Sequence, residues 1–322
     1  MGWVFNAPGD TSTWGPQIVA IATTFTGFSL IIVCMRIYVR AHLIHAMGLD
    51  DWAIIFGWFG ICGYSICTII QTRWGLGVNH IDDMPIQDMK TFLLIEYIGS
   101  PLYVCCLFGF KFSLLLSYLR FIPRGVWRFA TIGMAIAVTL AHIAFLCCFL
   151  FGCSPIAKFW DANITWGHCL GLPFYTGFSA LTITFDFLIM LLPFPTLLRT
   201  KIRTRKKVVL CCLFTLGVFI SAVQIVRFSY LSQLVNLLDS ANPIVWSIVE
   251  SNLGIVTASI PTLAPLVRYF SEKSRVGIHD DDSTERIYDP SQGGIMKRTD
   301  VLVSSSQGRT SEQSVPMDEN TL

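Results

Sequence analysis

Apolar residues in this chain run in long blocks rather than in the period-two or one-faced patterns of a soluble protein. Seven blocks stand out, over residues 17–38, 52–71, 91–118, 129–151, 173–198, 208–232 and 244–267. A bilayer core about 30 Å thick takes roughly 20 apolar residues to cross as a helix. Each block meets that length, and short polar stretches separate them. Pro101, Pro193, Pro195, Pro261 and Pro265 fall within or at the ends of blocks, where a bundle tolerates kinks if neighbouring groups satisfy the freed backbone. The pattern predicts an all-α, seven-transmembrane-helix bundle over residues 17–268. A short segment, 1–16, precedes it. From residue 269 the chain turns polar and rich in Ser and Thr, which predicts a disordered tail over 269–322.

Composition agrees with a bilayer solvent. Charged residues make up 14% of the chain and apolar ones 53%, against about 25% charged in an ordinary soluble domain. The placement of charge then orients the bundle. Arg36 and Arg40, Arg120, Arg124 and Arg128, the run from Arg199 to Lys207, and Arg268, Lys273 and Arg275 all flank blocks on one side. The other side has only Arg73, Lys90 and Lys158. Lys and Arg accumulate on the cytoplasmic side, so the N-terminus is expected outside and the C-terminus inside. Residues 1–16 contain no Lys or Arg and so lack the basic start of a cleavable signal. The net charge of +2 is explained by topology, with the lipid bilayer as partner and no nucleic acid. No duplicated half is visible, which disfavours a transporter built from repeats.

Of the cysteines, only Cys153 and Cys169 flank an outer loop, where an oxidising compartment lets a disulfide persist. Two free thiols at helix ends are the alternative. A bridge would hold Trp160, Asn163 and Trp166 as a lid over the outer mouth. Asn163-Ile164-Thr165 is also a glycosylation sequon.

Several motifs, in order, resemble the fungal rhodopsin-domain family of seven-helix membrane proteins. They are LDDWAIIFG (49–57), RWGLGVNH (73–80), KFSLLLSYLRF (111–121), CSPIAKFWD (153–161), DFLIMLLPFP (186–195), RTRKK (203–207) and WSIVESNLGIVTASIPTLAPL (246–266). The resemblance implies kinship with a receptor-like pathogenicity protein and with membrane proteins encoded beside mycotoxin biosynthetic genes. It does not imply retinal, because a Schiff-base lysine is needed in the last helix and residues 244–267 contain none. No cofactor is therefore expected. The absence of an acidic residue before Arg120 and of an Asn-Pro pair in the last helix leaves any cytoplasmic signalling partner unnamed.

Charges inside the blocks are costly in lipid and mark candidate sites. A helix rises about 1.5 Å per residue, which places Lys111 roughly 13 Å above Arg120 and Asp186 roughly 20 Å from Arg199. Those depths allow a Lys111–Asp186 pair. Asp51 at the inner mouth is a rival partner, and snorkelling of Lys111 is a third possibility. Nearer the outside, Glu96, Arg227 and Glu250 fall at similar depths. Tyr97, Tyr103, Trp246 and Asn252 join them as candidate walls of a ligand pocket, and the competing reading is a charge network that only orients helices. His80, Asp82, Asp83 and His168 fit no metal-ligand spacing.

These features support a receptor for a small lipophilic external ligand. A second class is a membrane-embedded component or enzyme of a secondary-metabolite pathway. There Glu96, Glu250 or Asp186 would serve as acid or base on an intermediate that enters from the bilayer.

Overall fold

A computed structural model describes residues 3–6, 11–78, 86–122, 125–161, 163–193, 204–232 and 241–282. The protein is mostly helical. Among the described residues seven long helices follow in order: α1 (Gly15–Tyr38), α2 (Leu49–Arg73), α3 (Ile86–Phe121), α4 (Val126–Phe151), α5 (Leu172–Leu191), α6 (Thr204–Ser232) and α7 (Ala241–Asp282). A π-helical turn, Val39–Leu43, extends α1. Six of these helices are long and apolar enough to cross a membrane. The sixth in order, α6, contributes a shorter apolar stretch, Phe214–Tyr230, among the described residues. The chain divides into two units, Met1–Arg268 and Tyr269–Leu322. The tail expected to be disordered from residue 269 begins instead as helix, since α7 runs to Asp282. The rest of that expected tail lies outside the described residues.

The helices distribute polarity as a lipid-solvated bundle does. Phe129 and Leu140 on α4 are 75% and 63% exposed, while Lys111, Gln224 and Glu250 are all within 1% of complete burial. Lipid accepts apolar faces without cost, whereas a polar group there finds no hydrogen-bond partner. The interior therefore takes the polar residues. A large apolar cluster around Ile54, Ile61, Leu107, Phe110, Ile248 and Ile255 joins α2, α3 and α7. A second, around Leu115, Tyr118, Val138 and Ile189, joins α3, α4 and α5.

Glycine sets the spacing of α2 against α3. A Cβ placed on Gly109 would lie 2.5 Å from Gly57 Cα and 2.8 Å from the Ala53 carbonyl oxygen. Small residues allow backbones to approach this closely in membranes, where van der Waals packing drives association. Pro101 sits inside α3 without ending it.

The outer connections are ordered by short-range bonds. In the turn after α2, Gly75 and Gly77 have φ of 112° and 86°, a conformation glycine reaches without steric penalty. Gly77 carbonyl oxygen accepts the Trp14 N–H at 2.8 Å, which ties this turn to the start of α1. Between α4 and α5, strand β1 (Cys153–Ser154) pairs antiparallel with β2 (His168–Cys169). Cys153 and Cys169 face each other in that ladder and form a disulfide with a Cα separation of 4.0 Å. Closing a loop of about 15 residues contributes roughly 3 kcal/mol in the chain-entropy account. Cys153→Ser is thus expected to lower the unfolding midpoint in detergent. An unchanged midpoint, compared with wild type under non-reducing conditions, would remove the bridge as a stabilising element.

The hairpin loop leans on α3. Lys90 Nζ lies 2.8 Å from Asp161 Oδ2, and Tyr97 packs against Trp160 and Phe159. Lys90, then the Asn163 N–H, hold the Asp161 carboxyl below its ordinary range. A depressed carboxylate keeps its tie at neutral pH and loses it as pH falls through the folded-state value. Lys158 Nζ donates to the carbonyls of Trp166 and Gly167 at 3.0 and 2.7 Å. Trp160 is therefore seated on α3, whereas Trp166 is 69% exposed and Asn163 is exposed.

Candidate functional site

Lys111 projects from α3 toward α5. Its Nζ lies 3.0 Å from Asp186 Oδ1 and donates to the Thr182 carbonyl at 3.1 Å. The other Asp186 oxygen, Oδ2, accepts from Gln224 Nε2 of α6 at 2.5 Å. The same nitrogen donates to Glu250 Oε1 of α7 at 2.7 Å. Glu250 Oε2 in turn accepts the Tyr103 hydroxyl at 3.2 Å and lies 3.2 Å from Arg227 Nε. One polar chain thus links Lys111, Asp186, Gln224, Glu250 and Arg227 across α3, α5, α6 and α7.

Two cations and two carboxylates make this chain neutral. Neutrality matters because desolvating charge in a bundle interior is offset only by close, complete pairing. Gln224 is the member that the sequence reading omitted. Its signal is spacing: it precedes Arg227 by three residues, which puts both on one helical face.

The pairing is complete at one end and open at the other. Arg227 Nη2 and Gln224 Oε1 are buried without hydrogen-bond partners among the described residues. Arg227 Nε, despite its closeness to Glu250, also lacks hydrogen-bond geometry. The guanidinium lies 5.6 Å from the centre of the Tyr103 ring, a favourable cation–π distance. A buried, unmatched donor or acceptor costs about 1–3 kcal/mol. Arg227 and Gln224 therefore present an unsatisfied donor and acceptor to whatever reaches them.

The remaining pocket candidates separate. Glu96 accepts from Gln71 Nε2 at 3.0 Å and sits beside the Ser100 hydroxyl at 3.4 Å. It belongs to the α2–α3 seam and not to the Arg227–Glu250 contact. Tyr97 donates to the Leu150 carbonyl at 2.8 Å and faces the hairpin loop. Trp246, half-buried, lies one turn before Glu250 on α7. Asn252 accepts the Ser29 hydroxyl at 2.6 Å, tying α7 to α1. The residues expected from depth to share one outer pocket thus make their contacts in four seams, α2–α3, α3–α4, α6–α7 and α1–α7.

A second charge cluster occupies the opposite end of the bundle. Asp50 Oδ2 lies 2.8 Å from Arg36 Nη2 and 3.1 Å from Arg40 Nη2, and Asp50 Oδ1 meets Arg120. Asp51 lies 2.9 Å from Arg36 Nε and also accepts the Gly48 N–H at 3.0 Å, closing the first turn of α2. Arg36 Nη1 donates to the Ala258 carbonyl at 2.7 Å. Asp51, the rival partner for Lys111, is thus committed to Arg36. The sequence reading counted these arginines only as flanking charges. A pair of acidic residues opening α2, where a helix N-terminus favours them, was the signal that they had partners.

The motifs and the helix order can now be set against known proteins. The fungal rhodopsin domain matches over residues 35–269. The chain belongs to the fungal rhodopsin domain family. Among curated relatives, it is 28% identical over 218 residues to a SAT4 family membrane protein of Emericella nidulans, covering 66% of this chain and 55% of that one. It is 24% identical to Receptor GIN3 of Arthrobotrys oligospora, covering 80% of this chain and 64% of the receptor. It is 22% identical to the polyenoic acids biosynthesis gene cluster protein Ba17b of Metarhizium anisopliae, covering 79% and 74%. The chain therefore spans less than two thirds of the first two relatives. No solved structure matches it.

Residues 244–267 of α7 carry no lysine, and Lys111 on α3 is engaged by Asp186 and the Thr182 carbonyl. Within 244–267 there is thus no lysine for a Schiff base, and Lys273 lies further along α7. Among the described residues no cluster of three His, Cys, Asp or Glu is suited to a metal ion. His168 is exposed in β2, and His80, Asp82 and Asp83 lie outside the described residues.

Proposed function

We propose that this fungal rhodopsin-domain protein is a receptor for a small lipophilic ligand, working without a cofactor. Its N-terminus is outside, its C-terminus is cytoplasmic, and it resides in the plasma membrane. The unsatisfied Arg227 Nη2 and Gln224 Oε1, buried beside Glu250, carry this reading. A ligand that accepts from Arg227 and donates to Gln224 removes a standing desolvation cost. It does so on the polar chain that reaches Asp186 and Lys111, so binding biases contacts in both halves of the bundle. A ligand shifts a conformational equilibrium only through such differential contacts. One relative's designation as a receptor supports the same class.

Glu250→Gln keeps the shape of the side chain and leaves Arg227 without its counter-charge. Stranding a buried charge also lowers yield, so the response is compared at matched surface expression, where we expect the dose needed for a transcriptional response to shift by at least about tenfold, equivalent to about 1.4 kcal/mol. A response indistinguishable from wild type would remove Glu250 from the site.

The naming of a relative for a biosynthesis gene cluster favours a second reading, a membrane component of a metabolite pathway. Deletion strains separate the two. Loss of a transcriptional programme with unaltered metabolites supports the receptor. An accumulated intermediate that wild-type membranes convert supports the pathway component.

Orientation has its own test. A reporter fused after residue 201 is expected to read as cytoplasmic, and Asn163 to accept glycan or an external label. A cytoplasmic reading at Asn163 would invert the topology and remove the external-ligand reading.

A further inference from the structure

The charge cluster around Asp50 is not balanced. Arg36, Arg40 and Arg120 face Asp50 and Asp51, which leaves one positive charge in excess among the described residues. Every carboxylate oxygen is already engaged. Asp50 Oδ2 serves Arg36 and Arg40, and Asp50 Oδ1 serves Arg120. Asp51 Oδ1 accepts from Arg36 Nε, and Oδ2 from the Gly48 N–H. Arg40 Nε lies 3.7 Å from Asp51 Oδ1 and is buried without a hydrogen-bond partner among the described residues. The acceptors run out before the donors do.

The excess has an outlet at Arg120. The side chains of Asp50 and Arg36 are completely buried, whereas Arg120 is 34% exposed and gives Asp50 one nitrogen, Nη2. Its guanidinium lies across Gly48, where an added Cβ would collide with it. Gly48 leads directly into a stripe of exposed apolar residues on α2: Leu49, Trp52, Phe56 and Phe59. Their spacing of three and four residues puts them on one helical face. Trp52 stands about 6 Å along the helix from the level of Gly48, within reach of the headgroup layer where interfacial tryptophans sit.

We propose that Arg120 and this stripe form a binding site for an anionic phospholipid of one net negative charge. Its phosphodiester lies on Arg120 and its acyl chains run along Trp52, Phe56 and Phe59. Charge and shape select that class. A single negative charge balances the cluster, whereas the second charge of a phosphomonoester would be repelled by the Asp50 carboxylate behind Arg120. A guanidinium matches phosphate oxygens with two parallel N–H donors. Basic sites beside membrane helices hold anionic headgroups by the same attraction. A soluble anion would gain the arginine contact and nothing from the stripe. The site lies apart from the Arg227–Glu250 contact and needs only a membrane-spanning bundle, so it stands or falls independently of the receptor reading.

The experiment is native mass spectrometry of the full chain in detergent, titrated with dioleoylphosphatidylglycerol or with dioleoylphosphatidylcholine. The two lipids share their acyl chains and differ in net charge. The wild-type chain is expected to retain one phosphatidylglycerol at least about fivefold more tightly than phosphatidylcholine, the scale of one arginine at a charged lipid surface. Arg120→Gln should remove that preference, and Arg120→Lys should keep most of it. A phosphatidylglycerol with a diazirine in its acyl chain should label the Leu49–Phe59 stretch. Glycerophosphoglycerol, the same headgroup without acyl chains, should not displace the lipid at equal concentration. The comparison of lipids on the wild-type chain stands even where a variant fails to fold. Displacement by glycerophosphoglycerol would make this a site for a soluble anion and overturn the proposal. Equal affinity for the two lipids would overturn it too, leaving the charge to an acidic polypeptide. So would a preference unchanged in folded Arg120→Gln, or labelling confined to other helices.

Discussion

Asp50→Ala is expected to abolish recovery of folded protein. Its carboxylate is completely buried and faces Arg36, Arg40 and Arg120, with the Ser117 hydroxyl 3.4 Å away. Alanine would leave Arg36, itself fully buried, with Asp51 as its remaining carboxylate partner. Removing one member of a buried pair costs about 3–5 kcal/mol, because the other charge stays desolvated. That is a large fraction of the 5–15 kcal/mol that separates folded from unfolded proteins generally. Arg120→Ala provides the internal comparison. Arg120 is 34% exposed, so water replaces the lost partner and the cost falls toward the 1 kcal/mol of an exposed pair. Size-exclusion of a fluorescent fusion from solubilised membranes measures both. Wild-type yield from Asp50→Ala, or equal losses from the two variants, would show that the cluster does not hold α1, α2 and α3 together.

Lys111→Ala is expected to cost a similar 3–5 kcal/mol, by stranding Asp186. Its surface expression should fall accordingly. Asp186→Ala in the same background should add little, because the pair is already broken. Contacting residues commonly show interaction energies of about 0.5–3 kcal/mol in such a cycle. Simple addition of the two losses would mean that the 3.0 Å contact carries no coupling. Gln224 sharpens the test. Its amide nitrogen serves both Asp186 and Glu250, so Gln224→Leu should lower expression in the wild-type background more than in Lys111→Ala/Asp186→Ala. An equal loss in both would separate the inner pair from the Arg227–Glu250 contact.

Much of this bundle is legible in one dimension. Apolar blocks of membrane-crossing length are written along the chain, and the six longest-qualifying helices follow them closely. The disulfide is legible too. Cys153 and Cys169 are adjacent in space because an antiparallel hairpin returns the chain to its starting strand. Polar composition after residue 268 predicts a disordered tail, whereas α7 continues through the start of that stretch to Asp282. Polarity sets which solvent a helix faces, and a helix need not stop where its solvent changes.

Depth and neighbourhood have different physical origins, and that divides what each level determined. The sequence alone determined that the solvent is lipid and the level of each charge within its apolar blocks, since every residue adds a constant rise, while the buried Arg36–Asp50 cluster reads there only as flanking charge. Azimuth and partner were decided by tertiary structure. Lys111 stood within reach of both Asp186 and Asp51, and the structure gives Asp51 to Arg36. Glu96 shares a depth with Arg227 and Glu250, yet it points into the α2–α3 seam beside Gln71. Those choices depend on how each helix is rotated and how closely it approaches its neighbours. On α2 and α3 that is set by the contact of Gly57 with Gly109, a constraint between residues 52 positions apart that no local pattern encodes.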